Sequence, residues 1–297
     1  MRPPHFLGVP VPRRSLATAA LATLSSALLA TPAHADTVNY VALGDSYTSA
    51  PLISPNQQNS PLGCFRADRD YPAQVAAAIH PTSFKDVSCG GASTKHMTET
   101  QNLSFSAPNP PQFDALTPDT TLVTLTIGGN DIGFGGIGTK CVTLAFGASD
   151  ASPCKDNYVV DGVDQLAQKI DAAAPKVADV LKGIHAKSPN AHVLLLNYPL
   201  ITPATGTGCF PTLPIAKGDV PYLRDVQHHL NQMLADQASA NASTLVDTTE
   251  AGHDICQQDP AKRWIEGLPT QWAAPAHPNL NGATAMAQAT LKAIQAQ

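Results

Sequence analysis

The sequence predicts an α/β fold in which a five-stranded, mostly parallel sheet is covered by helices on both faces. Short apolar runs rich in β-branched residues alternate with longer segments whose apolar residues recur at helical spacing. This order of strand, helix and strand is typical of a parallel sheet that is buried on both sides. The sequence contains no internal repeat and no linker long enough to separate two domains after the N-terminal segment.

The strand predictions rest on short runs bounded by turn residues, and the helix predictions on longer periodic segments. The predicted strands span residues 38–43, 84–88, 122–127, 192–197 and 244–247. The predicted helices span residues 71–79, 163–187, 222–240 and 281–294. Pro175 is expected to break or kink the second helix. Stretches rich in Pro, Gly and Ser are interpreted as loops around a site, at 49–61, 104–118 and 133–153.

Residues 1–35 have the features of a cleaved signal peptide. They contain three arginines and no acidic residue, an apolar run at 16–30 that is short for a membrane span, and the small-x-small motif Ala33-His34-Ala35. The Arg13-Arg14 pair also resembles a twin-arginine motif, so the export route stays open. Residues 36–297 are then predicted to form a single domain of about 260 residues, enough to bury a sizeable core.

Charge and hydropathy narrow the set of partners. The chain carries a formal net charge of −5 at pH 7, and the predicted domain is more acidic because the leader contributes only arginines. Such a surface argues against nucleic acid or anionic lipid as electrostatic partners. No later segment is apolar enough to span a bilayer. We expect a secreted, extracellular monomer that is not inserted in a membrane and requires no cofactor or metal.

All six cysteines follow the predicted cleavage point. An even number of cysteines in an exported chain predicts disulfide bonds, and no Cys/His group has the spacing of a zinc site. Several pairings are possible, and we favour bonds between neighbours along the chain. These are Cys64–Cys89, Cys141–Cys154 and Cys209–Cys256.

The first candidate for chemistry follows the first predicted strand. Ligands of an open parallel sheet bind beyond the carboxyl ends of its strands, and Ser46 lies there in Gly44-Asp45-Ser46-Tyr47. A serine hydroxyl is a poor nucleophile that needs an adjacent base. The segment is not a G-x-S-x-G elbow, because residue 48 is Thr. Taken alone, Asp45-Ser46 is more simply interpreted as a helix cap.

Three further segments offer groups that complete such a site. Gly90-Gly91-Ala92 follows the second strand, where the exposed N–H of a glycine is able to donate to an oxyanion. Gly128-Gly129-Asn130-Asp131 follows the third strand and presents the amide of Asn130. His277-Pro278-Asn279 precedes the last helix and offers a base. Taken alone, the glycine segment is more simply interpreted as a tight turn and His277 as a surface histidine, and the segment with Asn130 is also consistent with a turn.

Together, these four segments resemble the SGNH hydrolases, the GDSL family of esterases and lipases, over the whole chain after the leader. The resemblance implies a flavodoxin-like, three-layer fold in which Ser46 is the nucleophile and His277 is the general base. It implies that the N–H groups of Ser46 and Gly91 and the amide of Asn130 bind the oxyanion. The chain looks closest to the secreted bacterial lipases and phospholipases with three disulfides.

One position departs from the family pattern. Many members have an aspartate three residues before the histidine, where this sequence has Ala274, and no acidic residue lies between Glu266 and His277. We expect the carbonyl of Ala274 or Pro275 to accept the hydrogen bond from His277 Nδ1, which predicts a Ser–His dyad. The alternative is a remote acid, Asp247 or Asp254.

The resemblance implies a carboxylic ester hydrolase that forms an acyl-enzyme and acts on lipid-like esters. A carbohydrate ester deacetylase, an acyltransferase of the same family and a non-catalytic binding module are the alternatives. Four apolar residues after the third segment either line an acyl groove or pack under their own loop. These are Phe134, Ile137, Leu144 and Phe146. The G-x-G-x-x-G match at 133–138 does not predict a nucleotide site, because no clear helix is expected to follow it.

Overall fold

The computed structural model describes residues 1–5, 7–10 and 37–296. The chain divides into two units, Met1–Ala35 and Asp36–Gln297. The apolar run and the cleavage motif of the predicted signal peptide lie outside the described residues. The second unit carries the secondary structure described below.

A parallel sheet forms the centre of this unit. In chain order, the strands are β1 (Asn39–Gly44), β2 (Ser83–Asp86), β3 (Leu122–Thr126), β4 (Val159–Val160), β5 (Val163–Asp164), β6 (His192–Leu196) and β7 (Thr244–Val246). Five of them form one sheet in the order β2-β1-β3-β6-β7, and every neighbouring pair is parallel. The five-stranded fold is therefore confirmed, and the sheet is parallel throughout. The strands β4 and β5 form a separate antiparallel pair that the sequence did not predict.

Helices cover both faces of the sheet. In chain order, they are α1 (Ser46–Ser49), α2 (Tyr71–Ile79), α3 (Phe134–Ala145), α4 (Pro153–Tyr158), α5 (Gln165–Lys187), α6 (Asp219–Ala240) and α7 (Leu280–Gln295). The chain moves from β1 outward to β2, then returns to β3 and continues to β6 and β7. Because crossovers between parallel strands are right-handed, this reversal puts helices on opposite faces. Accordingly, α2 packs with α7, and α5 packs with α6.

The helix α5 is continuous through Pro175, so the predicted break does not occur. Proline removes one hydrogen bond and crowds the carbonyl four residues earlier, which belongs to Asp171. Both residues are exposed, so water is able to solvate that carbonyl. On the opposite side, Ala173 and Val177 are buried against the core and hold the helix in place.

The predicted loop at 133–153 is wrong over most of its length, because it contains α3 and the start of α4. Three glycines within α3 lower its intrinsic helix propensity, so its sequence resembles that of a loop. Its residues Ile137, Cys141 and Ala145 recur at intervals of four and are buried. The expectation that no clear helix follows the G-x-G-x-x-G match at 133–138 is also wrong, because α3 runs through this motif and continues to Ala145.

All three disulfides form between the predicted neighbours: Cys64–Cys89, Cys141–Cys154 and Cys209–Cys256. The first links the loop after α1 to the segment after β2. The second links α3 to α4. The third joins the loop before α6 to the loop after β7. No helix among the described residues has the length and apolar character needed to traverse a bilayer.

Candidate active site

Ser46 is the first residue of α1, directly beyond the carboxyl end of β1. The turn depends on Gly44, which has φ +137°, and a Cβ at this position would lie 2.8 Å from the carbonyl oxygen of Thr126. Asp45 caps the short helix by accepting the N–H of Tyr47 at 2.9 Å. The tight turn therefore holds Ser46 in a fixed position at the edge of the sheet.

His277 lies next to this serine although 231 positions separate them in the chain. Its Nε2 is 2.9 Å from Ser46 Oγ, and its Nδ1 is 2.8 Å from the carbonyl oxygen of Pro275. A carbonyl only accepts, so Nδ1 carries the proton and Nε2 is free to accept the serine proton. This is the tautomer that a general base requires.

The carbonyl that orients the imidazole belongs to Pro275, whereas Ala274 accepts the backbone N–H of His277 at 3.2 Å. The two remote acids are engaged elsewhere. Asp247 accepts from Asn197 Nδ2 at 2.9 Å, and Asp254 accepts from the N–H of Cys256. The sequence left three possible partners for His277 Nδ1: the carbonyl of Ala274, the carbonyl of Pro275 and a remote acid. In the structure, the partner is the Pro275 carbonyl.

The protein around His277 favours its neutral form. Burial lowers the pKa of this imidazole below its ordinary value of 6.5, and the hydrogen bond to the Pro275 carbonyl opposes that shift. Desolvation penalises the charged imidazolium, whereas an acceptor at Nδ1 stabilises it. The imidazole is therefore available as a base at and below neutral pH.

Asn130 and Asp131 hold the second glycine segment in place. Asn130 Nδ2 donates to the carbonyl of Ala92 at 2.9 Å. Asp131 accepts the N–H of Thr94 at 3.0 Å and its hydroxyl at 2.5 Å. One hydrogen of the Asn130 amide remains available, because an amide NH₂ group has two donors.

The N–H groups of Ser46 and Gly91 make no hydrogen bond with any other part of the chain that the structure describes. Gly91 has φ +75°, a conformation that glycine adopts without strain. Ser46 and Asn130 also line the same cavity. Three donors named from the sequence are thus available to a ligand. A site that stabilises a negative oxygen needs such groups.

A buried hydrogen-bond network, which no sequence motif indicates, lies behind Ser46. Asp45 is buried and accepts the hydroxyl of Thr126 at 2.7 Å and the hydroxyl of Tyr198 at 2.6 Å. The Tyr198 oxygen in turn accepts the N–H of Gly129 at 2.8 Å. Burial raises the pKa of Asp45 to about 6, although these hydrogen bonds lower it. Tyr198 follows β6, so its place after a strand was the one signal available.

Gln112 is a second buried contact that no motif indicated. Its side-chain amide accepts the N–H of Gly44 at 2.7 Å and donates to the carbonyl of the same residue at 2.9 Å. The glutamine side chain thereby makes both hydrogen bonds that a neighbouring backbone segment would otherwise make with Gly44, and it fixes the turn that precedes Ser46.

A cavity of about 480 Å³ begins at Ser46 and His277 and extends among apolar side chains. Phe134 and Ile137 line it, whereas Leu144 and Phe146 do not, and Phe146 is 88% exposed. Two of the four apolar residues named from the sequence therefore line this cavity, and the other two do not. Further lining comes from α3, α6 and the adjoining loops: Val142, Ile201, Leu213, Ile215, Leu230 and Ile255.

In the described part of the chain, no group of three or more His, Cys, Asp or Glu side chains is arranged to hold a metal ion.

The family model described as the GDSL-like Lipase/Acylhydrolase family matches residues 42–285 of this chain. Lipase 2 of Streptomyces coelicolor is 39% identical over 288 residues, covering 93% of this chain and 94% of the relative. An esterase of Streptomyces scabiei is 32% identical over 294 residues, covering 87% and 85%.

Two solved structures share the fold. The phospholipase A1 of Streptomyces albidoflavus NA297 is 27% identical and superimposes with a TM-score of 0.68, covering 86% of this chain and 99% of that protein. The extracellular lipase of Streptomyces rimosus is 23% identical, with a TM-score of 0.64 and the same coverage.

Proposed function

The chain belongs to the GDSL-like lipase/acylhydrolase family and is an ester hydrolase, and we propose that it cleaves lipid-like carboxylic esters with a Ser46–His277 dyad. The observation that carries this proposal is the 2.9 Å contact between Ser46 Oγ and His277 Nε2 at the mouth of an apolar cavity. Nucleophile and base within hydrogen-bond reach are the signature of covalent catalysis by serine.

In the proposed mechanism, His277 Nε2 takes the proton of Ser46 as its oxygen attacks the ester carbonyl. The tetrahedral intermediate collapses when the imidazolium gives that proton to the departing alkoxide, which leaves an acyl-enzyme. A water molecule then attacks the acyl group, with His277 again accepting the proton. The carboxylic acid leaves, and Ser46 regains its hydrogen.

The negative oxygen of the intermediate is proposed to bind the N–H groups of Ser46 and Gly91 and the second amide hydrogen of Asn130. The hydrogen bonds that tie Asn130 and Asp131 to the segment after Gly91 support this role, because they fix the donors before substrate arrives. Preorganised donors stabilise developing charge without reorganisation at the moment of reaction.

The Pro275 carbonyl is proposed to orient His277 in place of a carboxylate. It fixes the tautomer and the ring plane, which the family aspartate does in other members. A carbonyl dipole stabilises the imidazolium less than a full negative charge does. With a carbonyl in place of a carboxylate, more of the transition-state stabilisation has to come from the oxyanion donors and from the other groups around the imidazole.

The cavity supports a long acyl chain as the substrate group. A methylene group occupies about the same volume as a water molecule in the liquid, roughly 30 Å³. The cavity volume of about 480 Å³ therefore has room for roughly 16 such groups. The apolar lining offers few partners to the hydroxyl groups of a sugar. Relatives carry the names lipase and phospholipase A1, and both kinds of enzyme release acyl chains.

The test uses protein recovered from the medium of a host that expresses the full chain. A fluorophosphonate probe and a series of nitrophenyl esters, triglycerides and phospholipids are applied to the wild type, Ser46→Ala and His277→Ala. We expect labelling and turnover in the wild type alone, with preference for long acyl chains. Ser106→Ala, which alters a half-buried serine outside the cavity lining, is the matched control and should behave as the wild type.

Retained turnover or labelling in Ser46→Ala would contradict the proposed nucleophile. A preference for acetylated sugars over all lipid esters would contradict the substrate class. Acyl transfer to an added alcohol that exceeds hydrolysis in water would instead make the protein an acyltransferase.

Secretion is part of the same proposal. The predicted leader and the three disulfides support it, because disulfides form and persist in oxidising compartments. N-terminal sequencing of the recovered protein should begin at Asp36. A protein that stays in the cell with residues 1–35 attached would contradict it.

A further inference from the structure

In the proposed mechanism His277 becomes positively charged, but none of the described charged side chains pairs with it. Its Nδ1 donates to a neutral carbonyl, and within the described residues no charged side chain contributes to its pKa. Burial penalises the imidazolium, which lowers the pKa. In the proposed mechanism, this positive charge develops each time Ser46 attacks, so another group has to favour it.

The backbone beside this histidine is also strained. Ala276 has φ +56°, in the left-handed region that alanine rarely adopts. Such a conformation persists only when the surrounding structure holds it. A loss of that support would release the peptide between Ala276 and His277 and move the imidazole away from Ser46.

Tyr47 contacts both features. Its hydroxyl donates to the carbonyl of Ala276 at 2.6 Å, and its ring centroid is 5.1 Å from that of His277 with an interplanar angle of 38°. Tyr47 is 3% exposed and is held edge-on by Tyr198 and Phe134, at centroid distances of 4.8 and 6.2 Å. It is also the residue that follows Ser46, so nucleophile and base are linked through one side chain.

Aromatic rings attract cations that lie over the ring face and within about 6 Å of the ring centroid. The tilted contact of His277 with Tyr47 satisfies this distance, and the attraction exists only when the imidazole is protonated. The ring therefore stabilises the transition state more than the resting enzyme. This is the requirement for an interaction that raises kcat.

We propose that Tyr47 is the positioning residue of His277 and takes over the two tasks of the missing carboxylate. Its hydroxyl holds the peptide that precedes the base, and its ring stabilises the imidazolium. The inference rests on the proposed roles of Ser46 and His277.

The other groups around the imidazole do not supply this charge stabilisation. Asp45 accepts three hydrogen bonds behind the nucleophile turn. Glu266 pairs with His277 through its backbone, and its carboxylate accepts the N–H of Gln271 at 3.2 Å. Tyr198, the remaining titratable neighbour of Tyr47, donates its proton to Asp45.

Two variants separate the tasks. Tyr47→Phe removes only the hydroxyl, and we expect kcat to fall about threefold to tenfold, the effect of one lost hydrogen bond, with unchanged KM and an unmoved acid limb of the pH profile. Tyr47→Leu also removes the ring. We expect a further several-fold loss in kcat and an acid limb of kcat/KM that moves to lower pH by about half a unit.

The direction of the pH shift distinguishes this role from a merely structural one. A loosened loop would admit water around His277 and raise its pKa towards the ordinary value, whereas loss of the ring lowers it. Tyr222→Phe, which removes a tyrosine hydrogen bond to Asp164 away from the cavity lining, is the matched control. Thermal unfolding of each variant checks that it is folded.

Wild-type kcat in Tyr47→Phe, or an acid limb that stays or rises in Tyr47→Leu, would overturn the inference. Ser46→Ala, assayed in the same series, tests the proposed function separately. An inactive Ser46→Ala beside fully active Tyr47 variants would reject only the role of Tyr47. An active Ser46→Ala would reject the mechanism itself.

Discussion

Pro275 lies two residues before His277, and its carbonyl oxygen accepts the Nδ1 proton of that histidine at 2.8 Å. The base is thus oriented by its own loop, and among the residues that the structure describes no side chain from another element bonds to Nδ1. That loop is fixed by backbone hydrogen bonds between Glu266 and both Ala276 and His277. Its conformation therefore determines whether Nε2 reaches Ser46.

Asn130→Ala should lower kcat about 10²–10³-fold on a soluble ester, because an oxyanion-hole donor contributes about that much. KM should change little, since the donor acts on charge that develops only in the transition state. Thr94→Val is the control, because it removes one of the hydrogen bonds to Asp131 that hold the neighbouring loop and keeps the amide. If both variants lose the same activity, Asn130 acts only by holding the loop.

The pH profile should show an acid limb below pH 6.5. His277 must be neutral to accept the proton of Ser46, so activity rises as pH increases through its pKa. Burial lowers that pKa from 6.5, so the limb falls at lower pH than for an exposed histidine. We expect this limb in kcat/KM measured with a soluble nitrophenyl ester, and an acid limb above pH 7 would contradict the assignment of His277.

Tyr198→Phe should destabilise the protein by about 1–3 kcal/mol, because it leaves one oxygen of Asp45 and the N–H of Gly129 buried without a partner. Denaturant unfolding measures the change in free energy. The matched control is Tyr158→Phe, whose hydroxyl makes no hydrogen bond within the described residues. We also expect a lower kcat, since the network supports both the nucleophile turn and the loop of Asn130. A variant as stable as the control would contradict the network.

Ile137→Trp should shorten the acyl chains that the enzyme accepts. Ile137 is buried on α3 and lines the cavity, so a larger side chain fills part of the space. We expect kcat/KM to fall about tenfold or more for a palmitoyl ester, since each methylene excluded from an apolar site costs about 0.8 kcal/mol, and to stay near wild type for an acetyl ester. Phe146→Trp is the control outside the cavity. Equal losses for both esters would place the acyl chain elsewhere.

The strands and long helices were predictable because their patterns are strong. Buried parallel strands are continuous apolar runs, so β3 and β6 were located to within one residue of their ends. The helix α3 was not predictable in this way. Its glycines favour a loop, and only the burial of Ile137 and Cys141 against neighbouring elements overrides that preference.

The candidate site was partly predictable for a topological reason. Parallel strands bring their carboxyl ends to one edge of the sheet, so residues that follow several strands meet there. Ser46, Gly91 and Asn130 lie in segments identified on that basis, and the family resemblance assigned their roles. Tyr198 also follows a predicted strand, but its role and that of Gln112 were not predicted. Their contributions depend on side-chain directions across segments that are 69 and 68 positions from their partners.

The amino-acid sequence by itself determined the order of the five strands of the sheet and of the long helices, the oxidised state of the cysteines and the residue types gathered at the strand ends. Only the tertiary structure decided which carbonyl orients His277. Ala274 and Pro275 are neighbours in the chain, and the direction of each carbonyl depends on the backbone torsions of the turn. Ala276 in that turn adopts a left-handed conformation, and its carbonyl accepts the hydroxyl of Tyr47, which lies 229 positions away in the chain. No local pattern encodes a contact between residues so far apart.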